Sequence, residues 1–135
     1  MFEGLKLFGE AMGTVFTLRA LFDSLWATQL GIIIGMLPGL TATMGVALLT
    51  TLTFHMAPGN AILILVCMYI GAIYGGSRSA ILLNIPGTPA NAATTVDGYP
   101  LAVQGMAGKA IGIATTGSFL GSVIGMIAMA IFTPL

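Results

Sequence analysis

Residues 75–100 read GGSRSAILLNIPGTPANAATTVDGYP: an arginine, an aspartate, three prolines and several hydroxyls, in a chain that is 57% hydrophobic and 6% charged. How this stretch is read decides how the apolar runs around it are arranged. The mean hydropathy is +1.04. A water-soluble domain carries about 25% charged residues, so this chain has too little polar surface to coat a globule, and lipid is its expected solvent. No formal charge falls between Asp23 and Arg78. A helix through that neutral run would be about 80 Å long against a hydrocarbon core of roughly 30 Å, so the chain must cross, turn and return.

Working outward, AILILVCMYIGAIYGG (61–76) supplies one crossing, with Gly71, Gly75 and Gly76 small enough to admit a second helix. Before it, LWATQLGIIIGML (25–37) is too short for the roughly 20 residues of a straight crossing. It meets Pro38-Gly39 and continues as LTATMGVALLTTLTF (40–54). The pair reads either as one crossing broken at Pro38-Gly39 or as two short re-entrant halves. HMAPGN (55–60) reads as a turn, with His55 at the membrane edge. After the opening stretch, AIGIATTGSFLGSVIGMIAMAIF (110–132) is a full neutral crossing, and Gly117, Gly121 and Gly125 form a ladder expected to face a neighbouring helix. The fold expected is therefore an all-α integral membrane protein whose transmembrane helices include Pro-Gly-broken segments, discontinuous or re-entrant. Residues 1–23, with Phe2, Leu5, Phe8 and Met12 opposite Glu3, Lys6 and Glu10, are expected to form an amphipathic interfacial helix, or one packed on other parts of the protein, rather than a signal peptide. Residues 24–135 are expected to form a membrane domain that reads as truncated, ending at Thr133-Pro134-Leu135 as a loop begins.

Composition excludes several functions. The net charge is zero, with no basic patch, so nucleic acid has no electrostatic footprint. Cys67 is alone in an apolar run, which excludes an internal disulfide and a thiol metal site and makes it a packing residue. The methionines have no repeated metal-binding spacing. A hydrolase built on Ser77 or Ser79 with His55 would need side chains separated by a crossing to meet. No enzyme, metal or organic cofactor is expected.

The two breaks share a shape: an apolar half-helix, Pro-Gly, then threonines. Proline withholds a donor and stops the preceding turn, leaving carbonyls before it and amides after it unpaired, which hydrocarbon does not tolerate unless they line a cavity or meet a ligand. Amides at a helix start hold carboxylate or phosphate without a basic side chain. The candidate substrate site is thus Pro38, Gly39, Thr41 and Thr43 from the first break, with Ser77, Asn84, Pro86, Gly87 and Thr88 around the second. The freed carbonyls are open to a coupling cation, Na+ or H+. Plain kinks are the alternative. Arg78 can clamp a carboxylate, snorkel to the membrane edge or pair with Asp97, which sits in an expected Asp97-Gly98-Tyr99-Pro100 turn.

The segments GIIIGMLPGL (31–40) and YIGAIYGGSRSAILLNIPGTPANAATTVDGYPLAVQGMAGKAIG (69–112) resemble the large permease subunit of the tripartite tricarboxylate transporters, the TctA family. The resemblance implies a multi-pass bacterial inner-membrane permease, several times longer than this chain and with a second, related half. It implies uptake of carboxylates such as citrate, driven by an ion gradient, with a periplasmic solute-binding protein and a small membrane subunit as partners. It also places the substrate site at the Pro-Gly pairs 38–39 and 86–87. Arg78 departs from the small or polar residue expected there. The competing reading is a non-transporting membrane scaffold or degenerate permease fragment.

Overall fold

The computed structural model describes residues 9, 10, 13 and 15–132. Most of the interfacial helix expected over 1–23 lies outside the described residues. From a turn at Phe16-Thr17 the chain enters helix α1 (Leu18–Met36), then α2 (Ala42–Thr53), α3 (Pro58–Leu83), a 3-10 turn (Pro89–Asn91), α4 (Ala92–Leu101), a π turn (Ala102–Met106) and α5 (Ala107–Phe132). The described residues contain no strand, as expected for a chain that must satisfy its backbone groups locally in lipid. Among the described residues two stretches are long and apolar enough to cross a membrane: α3, and Pro89–Phe132, which contains α4 and α5.

Helix α3 is the axis, and its glycines explain why. Gly71 lies against the Thr28 carbonyl, Gly75 against the Ile32 carbonyl, Gly31 against Met68 and Ala72, and Gly35 against Ala72, so closely that a β-carbon on any of them would overlap facing backbone. Facing numbers rise together, so α1 and α3 run parallel. This small-residue crossing lets backbones meet where no hydrophobic effect drives helices together. Helix α2 returns antiparallel after the first break, with Gly45 against the Met68 side chain, and the turn at Phe54–Met56 leads into α3. Ala27, Leu49, Ile64 and Met68 form the shared core of α1, α2 and α3, and Cys67 packs beside it. The 55–60 turn is thus shorter than expected. Pro58 already sits in the first turn of α3, where its missing N–H is no loss.

The chain leaves α3 at Asn84, which adopts the left-handed conformation (φ 58°), and doubles back. Gly87 packs against the Gly35 carbonyl, the Gly76 Cα and the Ser79 hydroxyl, and Asn91 reaches the Ile73 carbonyl. The loop has therefore descended about 10 Å along α3, the rise of the seven residues from Gly76 to Leu83. Helix α4 then climbs beside α3 again, with Gly98 against Ile81.

Residues 97–100, expected as a turn, are helical instead. The N–H of Ala102 divides between the Gly98 and Tyr99 carbonyls just after Pro100, and the reversal is deferred to Gly105, whose φ of 81° favours glycine. Helix α5 then descends, tied to α3 by the Tyr74 and Thr115 hydroxyls at 3.4 Å. Its Gly117, Gly121 and Gly125 meet nothing within 4 Å among the described residues, so the close helix approach in this chain belongs to α1 and α3 instead.

Candidate functional site

Both Pro-Gly breaks lie at one depth. Helix α1 ends at Met36, one residue past the Gly35 that packs on Ala72, and α2 starts at Ala42, three residues before the Gly45 that packs on Met68. The second break brings Gly87 to Gly35 and Gly76. That level is about 21 to 27 Å along an α3 that is about 39 Å long, close to the middle of a spanning helix.

The predicted site residues divide there. Gly87 and Thr88 are buried. The Thr88 hydroxyl accepts from Asn91 Nδ2 at 2.9 Å, and the same nitrogen donates to the Ile73 carbonyl at 2.9 Å. One amide thereby pins the re-entrant loop to α3. Pro86 and Asn84 are exposed, Asn84 as the left-handed residue that ends α3. Pro38 and Gly39 are exposed in the first break, where Gly39 takes a φ of 92°. Thr41 is half-buried and caps α2, its hydroxyl accepting from the Met44 N–H at 3.3 Å, while Thr43 is exposed in the first turn of that helix. Ser77 is half-buried on α3.

An open cavity of about 730 Å³ lies beside this level, between α1, α3 and α5, with the start of α4 as one wall. Its polar lining comes from Thr28, Tyr69, Tyr74, Ser77, Asn91, Thr94 and Thr115, with Ser118 and Ser122 further along α5. Asn91, Thr94 and Thr115 were not anticipated. Asn91 was legible as the residue one turn after Thr88, but only the doubling back of the chain gives it the Ile73 carbonyl as a partner.

Three of the hydroxyl protons here are committed. Ser77 donates to the Tyr74 carbonyl at 2.7 Å, Thr28 to the Ser24 carbonyl at 2.7 Å, and Thr115 to the Ile111 carbonyl at 2.8 Å. Such bonds to the preceding helical turn are the local choice for Ser and Thr where water is scarce.

Arg78 neither snorkels nor pairs with Asp97. Its guanidinium lies 3.4 Å from the centre of the Tyr74 ring and donates to the Tyr74 carbonyl at 3.0 Å. Asp97 borders a smaller, largely apolar cavity of about 220 Å³ between α3, α4 and α5. Among the described residues no three His, Cys, Asp or Glu side chains stand close enough together to hold a metal ion.

With this geometry in hand, comparison with known proteins is direct. Residues 21–135 match the model of the "Tripartite tricarboxylate transporter TctA family". A relative in Agrobacterium vitis, described as "Uncharacterized 52.8 kDa protein in TAR-I ttuC' 3'region", is 41% identical over 105 residues, covering 78% of this chain and 21% of the relative. The chain thus spans about a fifth of that relative's length. No solved structure matches. A membrane protein with apolar helices opened at 37–41 and 84–91, matched by this family's model over residues 21–135, the chain belongs to the TctA family of tripartite tricarboxylate transporters.

Proposed function

We propose that this chain is the opening portion of a multi-pass inner-membrane permease that takes up tricarboxylates or related carboxylates on an ion gradient. Its partners would be a periplasmic solute-binding protein and a small membrane subunit. The observation that carries the reading is the convergence of two Pro-Gly breaks at one depth of α3, beside a mostly apolar cavity of about 730 Å³ with several hydroxyl and amide groups in its wall. That volume is in the range of small-molecule sites, about 300–1,000 Å³. Helix interruptions at mid-membrane are tolerated where they line a cavity, and paired discontinuous helices at that depth are how secondary transporters hold anions and coupling ions.

In this reading the carboxylate meets the amides of Thr88 and Ala90 beside Pro89, since the Asn91 and Ala92 amides already donate to the Thr88 and Pro89 carbonyls, and the dipole of the helix that follows favours negative charge there. Gly87 and Thr88 set the position of those amides. Pro38, Gly39, Thr41 and Thr43 contribute the facing break, and Ser77 and Asn84 flank it. Lys109, exposed at the start of α5, takes no part.

The test is carboxylate uptake by the complete permease in cells carrying the binding protein, with variants matched for membrane abundance. Thr88→Val leaves a buried Asn91 N–H without its acceptor, a loss of about 1–3 kcal/mol, and uptake should fall about 10- to 100-fold. Lys109→Ala should change little. Normal uptake by Thr88→Val beside a strong loss in Lys109→Ala would move the anion site away from the breaks. Absence of carboxylate uptake by the unmodified permease would favour a scaffold.

A further inference from the structure

Between Asp23 and Asp97 the sequence holds no Lys, Arg, Asp or Glu except Arg78. A long cationic side chain in a membrane ordinarily snorkels toward the headgroups, but Arg78 turns the other way. Its Nη1 donates at 3.0 Å to the carbonyl of Tyr74, one turn back toward the start of α3, and its guanidinium stacks 3.4 Å from the centre of the Tyr74 ring. That carbonyl lies about 24 Å along α3, at the level of the two breaks and about 15 Å short of the helix end. The charge is held near mid-membrane, away from the level of lipid phosphates.

It has no counter-charge there. Among the described residues the polar and charged partners of the guanidinium are confined to Tyr74. Arginine carries five N–H donors in a planar fork, and a guanidinium stacked over a ring keeps the edge of that fork open for a carboxylate. Charged side chains at this depth face a partner or a polar cavity, because hydrocarbon does not stabilise them. The large cavity runs from Asn91, which holds the Thr88 hydroxyl, to Tyr74, on whose ring Arg78 lies. One end of it adjoins the anion-binding amides beside Pro89 and the other adjoins Arg78. A helix start offers roughly half a unit of positive charge. That suits one carboxylate and leaves the second group of a polyanion uncompensated, and Arg78 supplies the full unit that is missing.

We propose that Arg78 is a specificity-determining residue, the cation that receives a second carboxylate of the substrate and so selects di- and tricarboxylates over monocarboxylates. The proposal rests on the permease reading, in which the first carboxylate meets the amides of Thr88 and Ala90.

Because a solute-binding protein would select substrates upstream, the test uses the complete permease purified in detergent. Its unfolding temperature is followed against citrate, succinate and propionate at constant ionic strength. Saturable rises are expected, with citrate and succinate half-saturating at lower concentration than propionate. Arg78→Gln should raise the half-saturating concentration of citrate and succinate about tenfold or more and leave that of propionate nearly unchanged. Arg78→Lys, which keeps the charge and loses the fork, should fall between, and it carries the test if Arg78→Gln does not fold. Loss of the stack lowers the starting midpoint whatever the ligand, so the propionate-to-citrate ratio of half-saturating concentrations is the reading. A ratio unmoved in the variants that fold, as an acidic side chain elsewhere in the permease or a lipid phosphate paired with Arg78 would give, overturns the proposal. So does the absence of a saturable rise with any of the three acids. Citrate uptake by cells beside an unmoved ratio removes this inference alone, whereas an Arg78-dependent ratio without carboxylate uptake removes the transport reading alone.

Discussion

Replacing Gly87 by alanine is the sharpest test of the re-entrant loop, because it adds one carbon at a point where three elements meet. The new β-carbon would overlap the Gly35 carbonyl of α1, stand 2.7 Å from the Gly76 Cα of α3 and lie 3.1 Å from the Ser79 hydroxyl. Two of the three neighbours are backbone, so no side-chain rotation relieves the clash. The loop or α1 must move by roughly 1 Å. Overpacking of this kind costs about 1–3 kcal/mol. If transport requires the loop at its native depth, that cost lowers the competent fraction by a factor of about 5 to 150.

The assay is carboxylate uptake by the complete permease at matched membrane abundance, together with its unfolding temperature in detergent. Gly59→Ala is the control, since a β-carbon at Gly59 meets nothing within 4 Å. Gly39→Ala separates conformation from packing. Its surroundings are open but its φ is 92°, so it carries only the backbone penalty of about 1–2 kcal/mol. Gly87→Ala with the uptake and stability of Gly59→Ala would refute the packing of the second break against Gly35 and Gly76, and with it the common depth of the two breaks.

Two further outcomes follow from the same contacts. Gly31→Leu and Gly75→Leu should each part α1 from α3 and sharply reduce the amount of permease in the membrane, since their β-carbons meet backbone of the facing helix; immunoblots at normal levels would show that the crossing is not needed for assembly. Arg78→Gln removes the stack on Tyr74, worth about 0.5–2 kcal/mol, and should lower the unfolding temperature. An unchanged midpoint for Arg78→Gln would leave the stack without a stabilising role.

Much of this protein is legible in its sequence, because lipid imposes rules that act locally. The low charge, the lengths of the apolar runs and the two Pro-Gly pairs require helices and require them to stop near 37 and 84, since backbone pairing in hydrocarbon is settled within a few residues. The motif over 69–112 identifies the family for the same reason, as an unbroken stretch of chain. What lies between distant residues is not local. Nothing in Asn-Ile-Pro-Gly-Thr-Pro states that the chain turns back along α3 rather than leaving the membrane. Its meeting with Gly35 and Gly76 decides that, and gives Asn91 the Ile73 carbonyl.

Pro100 looked like a turn because proline breaks helices in isolation. In the fold, Gly98 packs on Ile81 and the adjacent π turn absorbs the missing bond, so the reversal waits for Gly105. The glycines of α5 repeat as regularly as those of α1 and α3, yet only the latter find backbone opposite them. Spacing determines that small residues share a face; which face meets a partner is set by where the rest of the chain lies, and only the tertiary structure decides that.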